Sequence, residues 1–231
     1  MKRFYKSVEV ADDGSILLDG RPVRTPARAV LALPNAALAA AVAEEWAAQD
    51  ETIDPRHMPL TGFANAAIDR VAPDPATFAA GLARYAETDL LCYRAEGPAS
   101  LIERQAEAWN PLLAWARQRH DSALRVTSGI VPTAQPADAL ARLHAVTVSY
   151  SPFILAGLSA LVTISGSLVL ALALVEGVIG RDQAWAAAEL DELWQAEHWG
   201  EDSLAAATRE ARRAEFAAAA RFVALSADQK P

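Results

Sequence analysis

Cysteine and histidine are scarce in this 231-residue chain, which has one cysteine, Cys92, and four histidines. A single thiol cannot form an internal disulfide, and it is compatible with a reducing compartment. Because a structural zinc site takes four Cys or His ligands, so few candidates argue against one. Cys92 lies between Leu91 and Tyr93 in the run DLLCYR, where an unpaired cysteine is typical of a buried core residue rather than a reactive thiolate.

Basic residues are outnumbered by acidic ones, so the formal net charge is -8 and the pI is near 5.0. Nucleic-acid binding needs clustered Lys and Arg that replace counterions along the phosphates, so this class of function is not favoured. The one basic cluster, Arg209, Arg212 and Arg213, has Glu210 and Glu215 beside it. We interpret it as the solvated face of a helix.

The common catalytic and phosphate-binding motifs are missing: GxGxxG, GxxxxGK[ST], GxSxG and HExxH do not occur. His198, with Glu192, Glu197 and Asp202, forms the one cluster that could bind a metal or transfer protons. Glu192 and His198 are six positions apart, which places them about 120° apart around a helix, whereas paired ligands need three or four. The pattern therefore argues against an enzyme, a metal site or a cofactor, although partners from elsewhere in the fold remain open.

A secretory signal is also lacking, because MKRFYKSVEV is basic and then strand-like. Residues 145–175 carry no charge and are numerous enough to cross a bilayer, but serines, a proline and glycines interrupt them and no basic cluster flanks them. We predict two short buried helices in this stretch and no membrane insertion.

The first third of the chain has the signals of an antiparallel sheet. An alternating segment over residues 4–10, the turn Asp13-Gly14, residues 16–18 and the hairpin dipeptide Asp19-Gly20 predict three strands ending near Arg24. Residues 30–33 are a candidate fourth strand. Asn35 is a good N-cap for a helix with its apolar stripe at Leu38, Val42 and Trp46, and a second helix follows over residues 61–71.

Beyond VAPDP at residues 71–75 the pattern is helical and no strand is predicted. Helices are expected from Pro75 and from Ser100, and further ones are expected over residues 136–148, 152–164, 167–178, 182–197 and 203–225. The predicted fold class is therefore α+β. It comprises a small sheet domain with two helices over residues 1–73 and a larger all-helical domain over residues 74–231.

The predicted helix over residues 182–197 carries two stripes when its residues are placed 100° apart. Ala186, Leu190 and Leu193 form the expected core stripe. The second stripe comprises Trp185, Glu189, Glu192, Ala196 and Trp199. A carboxylate among large apolar groups is costly unless it is paired. Either Glu192 meets an arginine of its own chain, or it is held on a tryptophan-rich surface for a partner.

Several stretches together resemble one known family, and they occur in the order expected. They are RFYK at residues 3–6, LDGRPVRTP at 18–26, EEWAAQ at 44–49, MPLTGFANAAIDRV at 58–71, DLLCYR at 89–94, WNPLLAW at 109–115, GSLVLALAL at 166–174 and DELWQAEHWGED at 191–202. The chain resembles the assembly chaperones for the alpha subunit of the F-type ATP synthase's soluble catalytic sector.

This resemblance implies a two-domain chaperone that is not an enzyme. Its expected partner is the unassembled alpha subunit, whose interface it would shield until the beta subunit takes its place. The acidic residue of the family's DE-x-x-Q-x-x-x-WG motif maps onto Glu192. We predict a partner-binding surface that comprises Glu192, Glu189, Trp185, Trp199, Gln195 and Asp202.

Two further expectations follow from the same resemblance. Because the motifs begin at residue 3 with no transit peptide ahead of them, we expect a protein of the bacterial cytoplasm. We also expect a monomer. Ala66 stands where the family pattern has threonine, so no hydroxyl role is carried over to that position. The alternative hypothesis is an enzyme or small-molecule binder that uses a cleft between the two domains near Glu192.

Overall fold

The structure is a computed structural model that describes residues 1–200 and 202–227. It consists of two compact units. The first comprises Met1–Pro75, Ser151–Gly157 and the described residues from Ala218 onward, and the second comprises Ala76–Tyr150 and Leu158–Ala217. The boundary predicted after residue 73 lies close to the end of the first unit's longest segment.

The sheet of the first unit has the predicted antiparallel order β1-β2-β3. Its strands are β1 (Val8–Val10), β2 (Ile16–Leu18) and β3 (Arg21–Pro22). Asp19 and Gly20 both adopt positive φ, 48° and 75°, which the tight turn between β2 and β3 requires. Residues 30–33 contribute isolated bridges such as Arg24 to Val30, and they do not form the fourth strand that was a candidate.

Two helices follow the sheet, as predicted, and side chains cap both. In α1 (Ala36–Ala47), Asn35 is the N-cap, and its Oδ1 accepts from the Leu38 backbone N–H at 2.9 Å. In α2 (Pro59–Ala66), the carboxylate of Glu45 accepts from the N–H groups of Leu60 and Thr61, each at 2.8 Å. The chain then continues as a single π-helical turn, Ala67–Val71.

The second unit is mainly helical and is built around a core that includes Trp109, Leu143 and Leu161. The remaining helices of the chain, of which α6 and α10 belong partly to the first unit, are α3 (Pro75–Ala83), α4 (Ala99–His120), α5 (Ala137–Val148), α6 (Pro152–Ser165), α7 (Leu168–Val175), α8 (Arg181–Ala188), α9 (Leu190–Trp199) and α10 (Ser203–Ser226). Short 3-10 turns occupy Pro55–His57, Arg84–Thr88 and Leu90–Cys92. The predicted α+β fold class is confirmed.

One pair of strands in this unit was not predicted. The two-residue strands β4 (Tyr93–Arg94) and β5 (Thr127–Ser128) pair in parallel. Strands this short leave no alternating pattern in the sequence, so the absence of strands predicted beyond residue 75 is wrong here.

The uncharged stretch over residues 145–175 forms α6 and α7, as predicted, and Leu168–Ala173 of α7 are fully buried. Asp89, itself buried, holds the start of α7, because its carboxylate accepts from the Ser167 hydroxyl at 2.7 Å and from the Val169 N–H at 3.0 Å. In the described part of the chain, no helix has the length and apolarity needed to cross a membrane.

Candidate functional site

The segment predicted as one helix over residues 182–197 breaks at Glu189. This residue, with φ -100° and ψ 19°, lies between α8 and α9 and belongs to neither. Because the ψ angle departs from the helical value near -42°, the helical phase changes at this point. A wheel of constant 100° steps therefore fails across the break, and the stripe predicted from Trp185 to Trp199 is wrong.

The two tryptophans of that stripe consequently have opposite surroundings. Trp185 is 7% exposed and packs against Phe216, with the ring centroids 5.6 Å apart. Trp199, at the end of α9, is 74% exposed. The predicted core stripe is likewise corrected, because Leu190 is buried while Ala186 is exposed.

Glu189 is the buried carboxylate of this region, and it is the one that meets an arginine of its own chain. Its Oε1 lies 2.8 Å from Nη2 of Arg212, which also donates to the carbonyl of Ile164 at 3.0 Å. Burial raises the pKa of Glu189, and the charge of Glu192 also raises it, while Arg212 and Arg209 lower it. The prediction that Arg212 lies on a solvated helix face is therefore wrong, because Arg212 pairs with the buried Glu189.

Glu192 is exposed on the first turn of α9. Within residues 1–200 and 202–227, its side chain forms no hydrogen bond or ion pair, so the proposal that it meets an arginine of its own chain does not hold within that part. A carboxylate in this position keeps its hydration and its acceptor capacity. It is available to a donor from outside the chain.

Five of the six residues predicted to bind a partner line one groove between α9 and α10, with a volume of about 590 Å³. They are Glu189, Glu192, Gln195, Trp199 and Asp202. The remaining lining residues are Ala196, Gly200, Leu204, Ala205, Thr208, Arg209 and Arg212. Trp185 does not line the groove, which agrees with its packing inside the second unit.

The groove combines apolar and acidic groups. Trp199 and Leu204 stand 74% and 76% exposed beside it. Asp202 contributes a carboxylate, but that group is also the cap of α10, since its Oδ1 accepts from the N–H groups of Leu204 and Ala205 at 2.7 and 3.0 Å. Glu192 is thus the freer of the two acids.

The acids and histidine that remained as a possible metal or proton-transfer cluster do not come together. His198 stacks on Trp194 at 4.0 Å between ring centroids, and its Nδ1 lies 2.8 Å from the carbonyl of that residue. Glu197 accepts two bonds from Arg104, at 2.6 and 2.9 Å, and these bonds lower its pKa. No group of metal-ligating side chains forms within residues 1–200 and 202–227.

Cys92 is fully buried, as the sequence predicts. Burial, together with the nearby charge of Asp89, raises the pKa of its thiol to about 12. The thiolate that a nucleophile requires is therefore almost absent at neutral pH.

Leu204 and the arginines that line the groove were not predicted as site residues. On α10, Leu204, Thr208 and Arg212 follow one another at intervals of four, so they share a face of the helix. That periodicity was readable in the sequence. The element that this face contacts could not be predicted, because the position of α10 beside α9 depends on packing.

The chain thus combines a sheet unit with a helical unit, and an open groove of the helical unit presents exposed tryptophan and leucine beside a carboxylate that is unpaired among the described residues. Residues 2–117 match the family model described as ATP12 chaperone protein. The chain belongs to this chaperone family.

Two solved structures resemble the whole chain. The first is Atp12 from Paracoccus denitrificans, at 45% identity and a TM-score of 0.93, with 98% of each chain covered. The second is a putative chaperone from Agrobacterium tumefaciens, at 40% identity and a TM-score of 0.90, with 96% of this chain and 85% of that chain covered.

Proposed function

We propose that the protein is an ATP synthase assembly chaperone that binds the unassembled alpha subunit of the F-type catalytic sector and shields its subunit interface until assembly. The observation that carries this proposal is the similarity to Paracoccus denitrificans Atp12, which extends over 98% of both chains. A match of this extent includes both units and the groove. The related structures come from bacteria, which supports our proposal that the protein acts in the bacterial cytoplasm.

The chemistry of the groove supports this role. An orphan subunit exposes apolar surface that would otherwise aggregate, and Trp199 and Leu204 offer exposed apolar groups to cover it. Glu192, which is unpaired among the residues that the structure describes, offers an acceptor for a cationic or backbone donor of the client. Because a chaperone must give up its client, a contact of a few such groups fits the task better than a large permanent interface.

The test is a binding measurement with purified alpha subunit and the variant Glu192→Lys. The charge reversal removes the acceptor and places a cation where we expect the client's donor, so binding should weaken by about tenfold or more. The melting temperature should stay the same, because Glu192 is exposed and unpaired within the described residues.

Glu103→Lys is the matched control, since Glu103 is also an exposed helical glutamate but lies on α4, outside the groove. It should bind like the wild type. If both variants bind equally well, Glu192 has no part in the contact. If the wild-type protein does not bind the alpha subunit, the proposed partner is wrong.

A further inference from the structure

The loop between α4 and α5, residues 121–136, has a closed base. The backbone N–H of Arg125 donates to Oε1 of Gln135 at 2.7 Å, and Nε2 of Gln135 donates back to the carbonyl of Arg125 at 3.0 Å. The Arg125 guanidinium also donates to the carbonyl of Ala134 at 3.3 Å. These three bonds hold the two ends of the loop together.

The middle of the loop is fixed to the helical core. Strand β5 pairs with β4, and the N–H of Gly129 donates to the carbonyl of Arg94 at 2.8 Å. The buried Arg94 is itself held, because it donates to Oδ1 of Asn110 at 2.9 Å and lies over the ring of Trp109 at 5.2 Å. The residues that follow Gly129 therefore extend from a supported position.

Two adjacent aliphatic side chains stand at the tip of this supported loop. Ile130 is 93% exposed and Val131 is 71% exposed. Single exposed apolar residues are common on protein surfaces, but a neighbouring pair held in place marks a candidate contact surface. Support of this kind lowers the entropy lost on binding, because the loop is already ordered.

Further exposed apolar surface lies earlier in the same loop. Val126, also exposed, lines an open depression of about 560 Å³ with Leu113 and Leu124. Arg117 lines the same depression and has no carboxylate partner among the described residues. Asp121, the acid there, is paired with Arg142 at 3.0 Å. The depression therefore favours an apolar partner surface with an acidic group opposite Arg117.

The composition of the loop favours a protein over a membrane as its partner. Residues 121–136 contain no aromatic side chain and one basic residue, Arg125, whereas segments that lie in a membrane interface are rich in both. The net charge of -8 also opposes an anionic lipid surface.

A second copy of the chain is a weaker candidate than the client. Two aliphatic side chains and a shallow depression cover far less than the roughly 800 Å² per partner that a stable dimer buries. The tip is suited to extend a contact that is anchored elsewhere on the molecule.

We propose that the Ile130–Val131 tip and the depression lined by Val126 form a second contact with the unassembled alpha subunit, separate from the groove that contains Glu192. This inference rests on the proposed function, because it names the same client. The client surface that it requires is apolar and carries an acidic side chain for Arg117.

The experiment compares the affinity of purified alpha subunit for the wild type and for the double variant Ile130→Ser/Val131→Ser. We expect Kd to rise by about tenfold or more, which corresponds to a loss of about 1.4 kcal/mol in binding free energy. Arg117→Glu should also weaken binding. The melting temperature of the double variant should not fall, because both side chains are exposed. Val148→Ser, which changes an exposed aliphatic residue on α5, is the control and should bind like the wild type.

Each other result overturns the inference. Equal affinity of the wild type and the double variant removes the loop from the contact while the proposed function stands. Failure of the wild type to bind the alpha subunit overturns both. If the double variant loses self-association in sedimentation, or loses binding to phosphatidylglycerol vesicles, while its affinity for the alpha subunit is unchanged, the tip binds a second copy or a lipid surface instead.

Discussion

Glu189 and Glu192 are three residues apart, yet their environments are opposite. Glu189 is buried and paired with Arg212, whereas Glu192 is exposed and unpaired within the described residues. Burying a carboxylate is costly unless a cation compensates it. Arg212 therefore stabilises the wall of the groove, whereas Glu192 needs no such compensation because it is exposed.

Removing that cation should make stability depend more strongly on pH. Burial raises the pKa of Glu189 above its ordinary value of 4.5. The folded state thus binds the proton more tightly than the unfolded chain, and stability falls as pH rises from about 4.5 through the folded pKa. In Arg212→Ala the pKa should rise further, because an attractive charge is lost.

We expect Arg212→Ala to lower the free energy of unfolding by about 2 kcal/mol at pH 8, less than for a fully buried pair because Arg212 is partly exposed. The loss should be smaller at pH 5 than at pH 8, because the raised pKa of Glu189 increases its protonated fraction as the pH falls. Urea unfolding at the two pH values measures both, with the exposed Arg213→Ala as the control. A loss that is equal at the two pH values would show that the pair does not set the protonation of Glu189.

The sequence predicted a type of contact in this stretch better than the residue that makes it. One of the two alternatives for Glu192 was a pair with an arginine of its own chain, and a carboxylate–arginine pair does exist here. It belongs to Glu189, because the wheel assumed an unbroken helix. No Gly or Pro marks the break, so its position depends on how α8 and α9 pack.

At the scale of elements, α6 and α10 make an unusually close approach in the first unit. A Cβ added at Gly157 would lie 2.5 Å from Cγ2 of Val223 and 3.3 Å from the carbonyl oxygen of Ala219. Val223 is buried and its side chain is stiff. The helices can approach this closely only because residue 157 has no side chain.

Gly157→Ala should therefore destabilise the protein by about 1 to 2 kcal/mol. The clash costs about 1 to 3 kcal/mol, and the better helix propensity of alanine returns up to about 1 kcal/mol. Gly81→Ala in α3 is the matched control, because its added Cβ would have no atom of another described part of the chain within 4 Å. That variant should be neutral or slightly more stable. Thermal unfolding of both variants separates the two effects, and equal stability would contradict the close approach.

Elements with strong local signals were predictable. The Asp19-Gly20 turn and the Asn35 cap occur where the sequence placed them, since each depends on a few neighbouring residues. The β4–β5 pair was missed, because two-residue strands from distant parts of the chain have no local pattern.

At the scale of the whole molecule, the proposed function predicts a transient complex. The chaperone should hold the alpha subunit in solution as a complex of one chain each, and added beta subunit should displace it because the two compete for the same interface. Light scattering of the alpha subunit with and without the chaperone measures the first effect. Size-exclusion chromatography after addition of beta measures the second. A stable complex of all three proteins would contradict competition for a shared interface.

The fold class followed from the sequence because hydrophobic periodicity and turn residues are distributed along the whole chain. The set of chain segments that make up the first unit could not be predicted in the same way. The segment Ser151–Gly157 and the residues from Ala218 onward belong to it, and nothing local in those helices indicates which sheet or helix they join.

This arrangement has a consequence for how the protein is made. Asn35, the cap of α1, donates its side-chain N–H to the carbonyl of Leu225 at 2.9 Å, and Phe63 packs against Phe222 with centroids 5.3 Å apart. A ribosome delivers the N-terminal end of a chain first, so the sheet and its helices emerge long before these partners exist. The first unit can be completed only after α10 has been synthesised, so its sheet and early helices must wait for partners from a much later part of the chain.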